Sequence, residues 1–193
     1  DVAKSYILYR NEHAKEREEK KRDVLKRIEE NRIMVVKRSG KIEPFSMEKT
    51  RSSLAYAARG YEDEIDIGGL SEQCRNEIYD NISTSDIART LVMVARSFIE
   101  LDPAYSKVAS RLLLAKLYKD IMGADIDYAR LGHQYREAFV QNIQRGVGIG
   151  RFDKRLLDFD LETLAQRLNP ERDDLFRYLG TQVLYDRYLA RDN

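Results

Sequence analysis

Residues 35–49 read Val-Val-Lys-Arg-Ser-Gly-Lys-Ile-Glu-Pro-Phe-Ser-Met-Glu-Lys. Its pattern predicts a strand over residues 34–37, a tight turn at Ser39-Gly40 and a returning strand over residues 42–45. Ser46 is placed to cap a helix that follows. We therefore expect the strand ends and the helix start to direct hydrogen-bond donors at one place.

The cations of this stretch indicate a phosphate site. Lys37 and Arg38 precede the turn, and Lys49 lies about one turn into the predicted helix. A guanidinium can hold two phosphate oxygens and an ammonium acts as a compact charge. A helix N-terminus favours the same anion.

The stretch resembles the opening of the ATP-cone, the nucleotide-sensing regulatory domain of ribonucleotide reductases. Residues 81–88 and 102–112 are similar to later cone segments of the large subunit of class I reductases. Residues 158–161, 172–173 and 184–189 resemble the helical region that follows the cone in that subunit. The resemblance thus runs in order along nearly the whole chain.

The resemblance implies that ATP or dATP binds as an allosteric effector, with the participation of Mg²⁺ left open. It places the backbone beside Val35 and the Glu43 side chain near the base, Thr84 near the adenine or ribose, and Lys119 at the phosphates. The matching nucleotide-binding positions are Val35, Lys37, Arg38, Glu43, Phe45, Lys49, Thr84 and Lys119.

The predicted fold is mainly α-helical: an ATP-cone, in which a small β-hairpin covers a helical bundle, followed by further helices. Residues 1–10 resemble the last helix of a preceding cone, so we expect a fragment of a parent with tandem cones. The domain prediction is residues 1–32 for that helix and a charged helical linker, 33–123 for the cone, and 124–193 for the start of the helical N-terminal domain of the reductase large subunit.

Periodicity and capping residues predict the individual helices. Beyond the helix over residues 46–60, we expect a loop with breakers at Gly68-Gly69 and a helix near residues 71–80. Ser83, Thr84 or Ser85 should cap a helix with a buried stripe, and Pro103 should lie in the first turn of the next. Further helices are predicted around 128–143, over 161–168 and over 174–190. The expected buried stripe comprises Ile87, Leu91, Val94, Ala95 and Phe98.

Composition excludes several classes of function. The 193 residues contain 34 Lys and Arg against 33 Asp and Glu, which leaves no global field to hold nucleic acid or an anionic membrane. Cys74 is the single cysteine, so neither an internal disulfide nor a thiolate zinc site is available within one chain. This use of cysteine leads us to expect a cytoplasmic protein. No apolar run has the length of a membrane span.

Other constellations carry no chemistry in this interpretation. The spacing of the glycines at 146, 148 and 150 does not fit a dinucleotide fingerprint, and we interpret them as a flexible turn. Asp153, Asp158 and Asp160 are interpreted as helix caps and salt-bridge partners, and the isolated His13 and His133 as surface residues. Three tyrosines at helical spacing are expected in the core: Tyr178, Tyr185 and Tyr188. No catalytic residue and no metal ligand is assigned.

The resemblance implies an oxidoreductase parent that reduces ribonucleoside diphosphates for DNA synthesis. Expected partners are the remainder of the large subunit, the small radical-generating subunit and further copies in a homo-oligomer. The alternative is a degenerate, non-binding cone that serves as a structural or oligomerisation module. Two departures from the cone pattern favour it, Thr50 and Ala88, and Ser39 is a third departure. A cone-containing transcriptional repressor would need a four-cysteine zinc ribbon, which Cys74 alone does not provide. Class I and class II parents both stay open.

Overall fold

A computed structural model describes residues 2–30, 32–123 and 130–189 of the chain. It is mainly helical with one small sheet, which confirms the predicted fold class. The helices are α1 (Val2–Glu29), α2 (Met47–Ala57), α3 (Ile67–Arg75), α4 (Thr84–Ser97), α5 (Ala104–Met122), α6 (Leu131–Gly148), α7 (Leu161–Gln166) and α8 (Tyr178–Val183). The strands are β1 (Met34–Val36), β2 (Ile42–Pro44) and β3 (Ile82–Ser83).

The chain forms two compact units, residues 1–94 and residues 95–193. The division between them falls within α4. This division reflects the compactness of the structure, whereas the predicted domain limits at residues 33 and 123 reflect the resemblance to a family. Those limits stay predictions.

The sheet has the strand order β2-β1-β3. β1 and β2 form the predicted antiparallel hairpin, in which Met34 pairs with Pro44 and Val35 with Glu43. The third strand was not predicted: Ile82 pairs with Val35 in a parallel arrangement. β1 is therefore the central strand, and both of its edges are engaged by backbone hydrogen bonds.

The apolar face of the sheet covers the core of the first unit. That core takes in the end of α1, the central strand β1, the residue after β2, and β3 with the segment before it. Each large aliphatic side chain that it buries contributes about 1.5–3 kcal/mol to folding. Its buried members are Ile28, Ile33, Val35, Phe45, Ile78 and Ile82.

Helix α1 has two different halves. Val24 and Leu25 near its end pack against the core of the first unit. On the N-terminal side of these residues the helix is charged and exposed to solvent, with an ion pair between Glu18 and Arg22 at 3.7 Å. Its first turns expose five large apolar side chains: Val2, Tyr6, Ile7, Leu8 and Tyr9.

Helix α3 begins earlier than predicted, because Gly68 and Gly69 form its first turn instead of breaking it. Asp66 caps the helix, and its Oδ1 accepts a hydrogen bond from the Gly69 amide at 2.8 Å. The first-turn amides of a helix lack intrahelical partners, so a side-chain acceptor outweighs the weak helix propensity of glycine there.

Helix α4 follows the prediction. Ser83 is its cap: Ser83 Oγ accepts from the Asp86 amide at 3.0 Å and donates to Asp86 Oδ2 at 2.7 Å. The predicted stripe is buried at Leu91, Val94 and Ala95. Pro103 immediately precedes α5, where Asp102 Oδ1 accepts from the Ala104 amide at 2.7 Å.

In the second unit, α8 packs along α5. A buried hydrogen bond of 2.6 Å joins Ser110 of α5 to Thr181 of α8. Arg111 holds Asp174 through two hydrogen bonds, Nε to Oδ1 at 2.8 Å and Nη2 to Oδ2 at 3.0 Å. Lys107 lies 3.6 Å from the same carboxylate. These contacts tie the segment before α8 to α5.

The helix predicted over residues 174–190 is interrupted. A 3-10 helix over Pro170–Leu175 ends first, Phe176 and Arg177 are extended, and α8 is followed by a π-helix over Leu184–Tyr188. The extended step lets the Tyr178 amide donate to Ser106 Oγ at 3.3 Å. A contact distant in sequence thus overrides the local periodicity.

The predicted aromatic core is correct in part. Tyr178 is buried and Tyr185 is half-buried, but Tyr188 is 73% exposed. The prediction for Tyr188 was wrong because it assumed one continuous helix, whereas this residue lies at the end of the π-helical turn.

The glycines near residue 148 do not form the predicted flexible turn. Gly146 and Gly148 belong to the last turns of α6, and the Phe152 ring packs where a Gly146 side chain would lie. Gly150 alone has a left-handed backbone, with a φ of +72°. Tyr128, part of the prediction for α6, lies outside the described residues. In the part of the chain that the structure describes, no helix is both long and apolar enough to cross a bilayer.

Candidate nucleotide site

The hairpin turn is closed by two backbone hydrogen bonds. The Lys37 amide donates to the Lys41 carbonyl at 2.8 Å, and the Gly40 amide donates to the Lys37 carbonyl at 2.9 Å. Gly40 has a φ of +79°, which a residue with a side chain rarely adopts. The turn leaves Arg38 and Ser39 exposed at its tip.

The register of the hairpin places a carboxylate next to the first of the cations. Residues paired across antiparallel strands share a face, and residues two apart on one strand also share a face. Val35, Glu43 and Lys37 therefore lie on the same side of the sheet. Val35 is buried there, whereas Glu43 is a quarter exposed, so the carboxylate lies at the margin of the core.

Glu43 links two of the predicted phosphate ligands. Its Oε1 accepts from Lys37 Nζ at 2.9 Å and from Lys49 Nζ at 3.0 Å. The hydrogen bonds from Lys37 and Lys49 lower the pKa of the Glu43 carboxyl below its usual value, against the smaller effect of burial. The structure thus brings three of the eight predicted residues into direct contact through one oxygen atom.

Lys49 reaches this point from the opposite end of the hairpin. Pro44 pairs with Met34, so the Ser46 cap lies at the far end of the strands from the Ser39-Gly40 turn. Ser46 Oγ accepts from the Lys49 amide at 3.3 Å, as predicted for an N-cap. The turn and the cap do not meet at one place, and the long Lys49 side chain connects the two ends.

Thr84 lies at the same end of the sheet as Lys37. Ser83 pairs with Val36 in the parallel ladder, and Thr84 is the next residue along that chain. It is half-buried and opens α4, whose N-terminus carries a partial positive charge. The third strand, which was not predicted, is what places this helix end beside the cationic turn.

Val35 and Phe45 are core residues. Their side chains are 4% and 6% exposed, and both belong to the apolar cluster beneath the sheet. The Phe45 amide also donates to the Ile33 carbonyl at 2.9 Å. Their side chains therefore support the hairpin from below, and they do not form an open surface for a ligand.

The remaining predicted ligand belongs to the second unit. Lys119 lies on α5, three residues before its end, and its side chain is half-buried. The hairpin residues and Thr84 lie in the first unit.

Two of the departures from the cone pattern have a clear local setting. Thr50 is buried on α2, where its hydroxyl donates to the Ser46 carbonyl at 3.3 Å. Ala88 is half-buried on α4. Thr50 is accommodated as a core residue because its polar atom finds a backbone acceptor within its own helix.

Sequence reasoning missed Asp80, which anchors the sheet to α1. Asp80 Oδ1 accepts from the Met34 amide at 2.9 Å, and Oδ2 accepts from Arg27 Nη2 at 2.7 Å. The Met34 hydrogen bond and then the Arg27 guanidinium lower the pKa of the Asp80 carboxyl. No periodicity signals this contact, since its partners lie 46 and 53 residues away in the chain.

The Glu43 contacts were also missed, but the sequence did contain a signal. Once the turn fixes the register, Glu43 must lie opposite Val35 and diagonal to Lys37. Diagonal pairs on an antiparallel hairpin are within reach of long side chains. An internal ion pair was therefore predictable from the hairpin alone.

Other reactive groups have structural roles. Burial raises the pKa of the Cys74 thiol to about 12, and its side chain is 1% exposed. Asp153 and Asp160 cap short helices, as predicted. Within residues 2–30, 32–123 and 130–189, no group of three His, Cys, Asp or Glu side chains could hold a metal ion.

The hairpin and the helices that follow it match a known domain family. The model of the ATP cone domain matches residues 33–120, just under half of the chain. This part of the chain is thus similar to the ATP cone domain. The match extends through Lys49, Thr84 and Lys119, so the predicted ligands all lie within the cone.

The chain is similar to ribonucleoside-diphosphate reductase alpha subunits along most of its length. The Chlamydia pneumoniae protein is 30% identical over 190 residues, which is 97% of this chain. The Helicobacter pylori protein is 36% identical over 162 residues, or 83% of this chain. The Escherichia coli ribonucleoside-diphosphate reductase 1 subunit alpha is 28% identical over 166 residues. The chain spans 18% to 20% of the length of these relatives.

Proposed function

We propose that the chain is the ATP- and dATP-sensing N-terminal region of a ribonucleoside-diphosphate reductase large subunit. The observation that carries the proposal is the joint position of Lys37 and Lys49 at one point of the ATP-cone hairpin. Two ammonium groups on one acceptor make a site for an anion, and the exposed Arg38 adds a planar cation close by. Because the matching domain is the ATP cone domain, we take the anion to be the phosphate chain of an adenine nucleotide.

The chemistry of the donor set fits a nucleotide triphosphate. Lys49 is 68% exposed and Lys37 is 35% exposed, so both ammonium groups can reach a ligand in solvent. The N-terminus of α4 opens next to Lys37 and favours negative charge at the same edge of the sheet. Lys119 is the further phosphate ligand that the cone pattern contributes.

In this proposal the parent reduces ribonucleotides to deoxyribonucleotides, and this region adjusts its activity. Its partners are the remainder of the large subunit, the small radical-generating subunit and further copies of the large subunit. ATP and dATP differ by one hydroxyl group, so their affinities differ by no more than about 1–3 kcal/mol, the cost of one buried polar contact. Subunit association would amplify that difference.

Calorimetric titration of the chain with ATP and with dATP tests the proposal. We expect micromolar affinity, about −8 kcal/mol. The double variant Lys37→Ala/Lys49→Ala should lose binding, because it removes both donors to the shared anion position. Lys15→Ala/Lys20→Ala is the matched control, since it removes two exposed cations of α1 and should bind normally.

The second candidate function is that of a degenerate cone that spaces or joins other modules without binding a nucleotide. Thr50 favours it, since this position of the core carries a hydroxyl that is satisfied within α2. A folded chain that gives no heat with either nucleotide would establish this second function and refute the first.

A further inference from the structure

The Glu43 carboxylate lies between two ammonium groups that are predicted phosphate ligands. Lys37 and Lys49 donate to the same oxygen, Oε1, at 2.9 and 3.0 Å. Their nitrogen atoms therefore lie within about 6 Å of each other, a separation at which like charges repel unless an anion lies between them. Without a ligand, the protein itself supplies that anion.

The backbone keeps the carboxylate at this point. Glu43 is the middle residue of β2, paired with Val35 of the central strand, and its side chain faces the margin of the core. Lys37 belongs to the same hairpin, whereas Lys49 comes from α2. The carboxylate is thus fixed by the sheet, and the two ammonium groups come to it from separate elements.

We propose that Glu43 is a built-in competitor for the anionic ligand, which neutralises Lys37 and Lys49 until a polyphosphate displaces it and leaves it free to contact the base, near which the cone pattern places it. This inference rests on the proposed function, because it concerns the same site. A ligand has to offer the two lysines more than the carboxylate already gives them. Orthophosphate carries less than two full charges near neutral pH, whereas a triphosphate carries more and reaches several donors at once.

The consequence is selectivity for the length of the phosphate chain. A triphosphate can hold both ammonium groups and still contact further cations of the turn, so it compensates for the lost Glu43 contacts. Orthophosphate would only replace the Glu43 carboxylate with another anion at nearly the same place, so it gains little. Glu43 therefore discriminates against orthophosphate, and neutralising it should relax that discrimination.

The variant Glu43→Gln tests this inference, because it keeps the shape of the side chain and removes its charge. The probes are inorganic tripolyphosphate and orthophosphate, titrated calorimetrically into the full chain. Tripolyphosphate has no base and no sugar, so its affinity reports phosphate capture alone. We expect the variant to bind tripolyphosphate at least about tenfold more tightly, a gain of about 1.4 kcal/mol, and to bind orthophosphate measurably.

Glu48→Gln is the matched control. Glu48 is exposed on the first turn of α2, next to Lys49 in sequence, and its neutralisation changes the net charge by the same amount. We expect its effect on tripolyphosphate affinity to stay within about threefold, the scale of a screened surface charge. Equal tightening in both variants would overturn the inference, since it would then reflect net charge alone.

A measurement on the unchanged chain keeps the inference falsifiable even if a variant folds poorly. The carboxyl carbon resonance of Glu43 should move toward that of a free carboxylate as tripolyphosphate is added at constant pH. Saturation with ligand and no movement of this resonance would overturn the inference.

Failure of the inference and failure of the proposed function can be distinguished. If the unchanged chain binds ATP and Glu43→Gln binds tripolyphosphate no more tightly than the unchanged chain does, the competitor is refuted and the nucleotide sensor stays in place. If neither the unchanged chain nor Glu43→Gln binds a polyphosphate or a nucleotide, both the inference and the proposed function are refuted. Tighter tripolyphosphate binding without ATP binding would support the competitor and leave an anion site that is not a nucleotide sensor.

Discussion

Each unit of the molecule contains a carboxylate held between two cations. In the first unit Glu43 lies between Lys37 and Lys49, and in the second unit Asp174 lies between Arg111 and Lys107. The cations of the second cluster are 22% and 12% exposed, whereas those of the first are 35% and 68% exposed. The two clusters have the same charges, but the cations around Asp174 have less access to solvent than those around Glu43.

The geometry of the contacts differs as well. Arg111 engages both oxygens of Asp174 in a paired arrangement, whereas the two lysines share a single oxygen of Glu43. Paired guanidinium contacts are rigid and specific, and an ammonium group reorients easily around a point charge. The Asp174 cluster therefore joins elements of the fold, and the Glu43 cluster can exchange its anion.

The largest expected effect comes from breaking the Asp174 cluster. Arg111→Ala should lower the free energy of unfolding by about 1–2 kcal/mol, because it removes the paired hydrogen bonds to Asp174 and part of the contact between α5 and the segment before α8, while Lys107 stays near the half-exposed carboxylate. The midpoint of urea unfolding measures this. Arg167→Ala, at an exposed position after α7, should stay within about 0.5 kcal/mol of the parent chain. Equal effects of the two variants would contradict a joining role for Asp174.

Acid titration should give an effect of intermediate size. The Arg111 guanidinium lowers the pKa of the Asp174 carboxyl from its usual 3.8, against the effect of burial. The folded pKa is below the unfolded one, so this stabilisation is present above about pH 4 and is lost as the pH falls through the folded pKa.

In Asp174→Asn the free energy of unfolding should therefore fall less steeply as the pH is lowered below about 5. Urea unfolding at a series of pH values measures this slope. Asp158→Asn, at an exposed carboxylate, is the comparison. A pH profile of Asp174→Asn that coincides with that of the parent chain would refute this account.

The smallest effect should come from the Glu43 cluster. Glu43→Gln should leave the thermal midpoint nearly unchanged, because Lys49 is largely exposed, Lys37 is partly exposed, and their contacts with Glu43 are screened by solvent and salt. A loss of stability comparable to that of Arg111→Ala would show that the two clusters have the same role. Circular dichroism melts of both variants under identical conditions make the comparison.

Local sequence signals predicted much of the first unit. The Ser39-Gly40 turn, the Ser46 cap and α4 follow from short-range chemistry, and each is present in the structure. The third strand could not be found in this way, because Ile82 and Ser83 are too few for a periodicity and their partner lies more than 40 residues earlier. The Asp80 anchor was missed for the same reason.

In the second unit the errors have a common origin. The apolar spacing over residues 174–190 is helical, yet contacts of Arg177 and Tyr178 with the start of α5 favour an extended step. Tyr188 was assigned to the core only because the helix was assumed to continue. Of the site itself, the sequence predicted which cations are present, and the register determined which carboxylate they contact.

The buried thiol of Cys74 has a practical consequence. It is the only cysteine in the sequence, and burial keeps it protonated with a pKa of about 12. Thiol-directed dyes react with thiolates, so they should not label the natural chain. A cysteine introduced at the exposed Ser39 would then carry the only reactive thiol, and fluorescence at the hairpin tip could follow the site without altering Cys74.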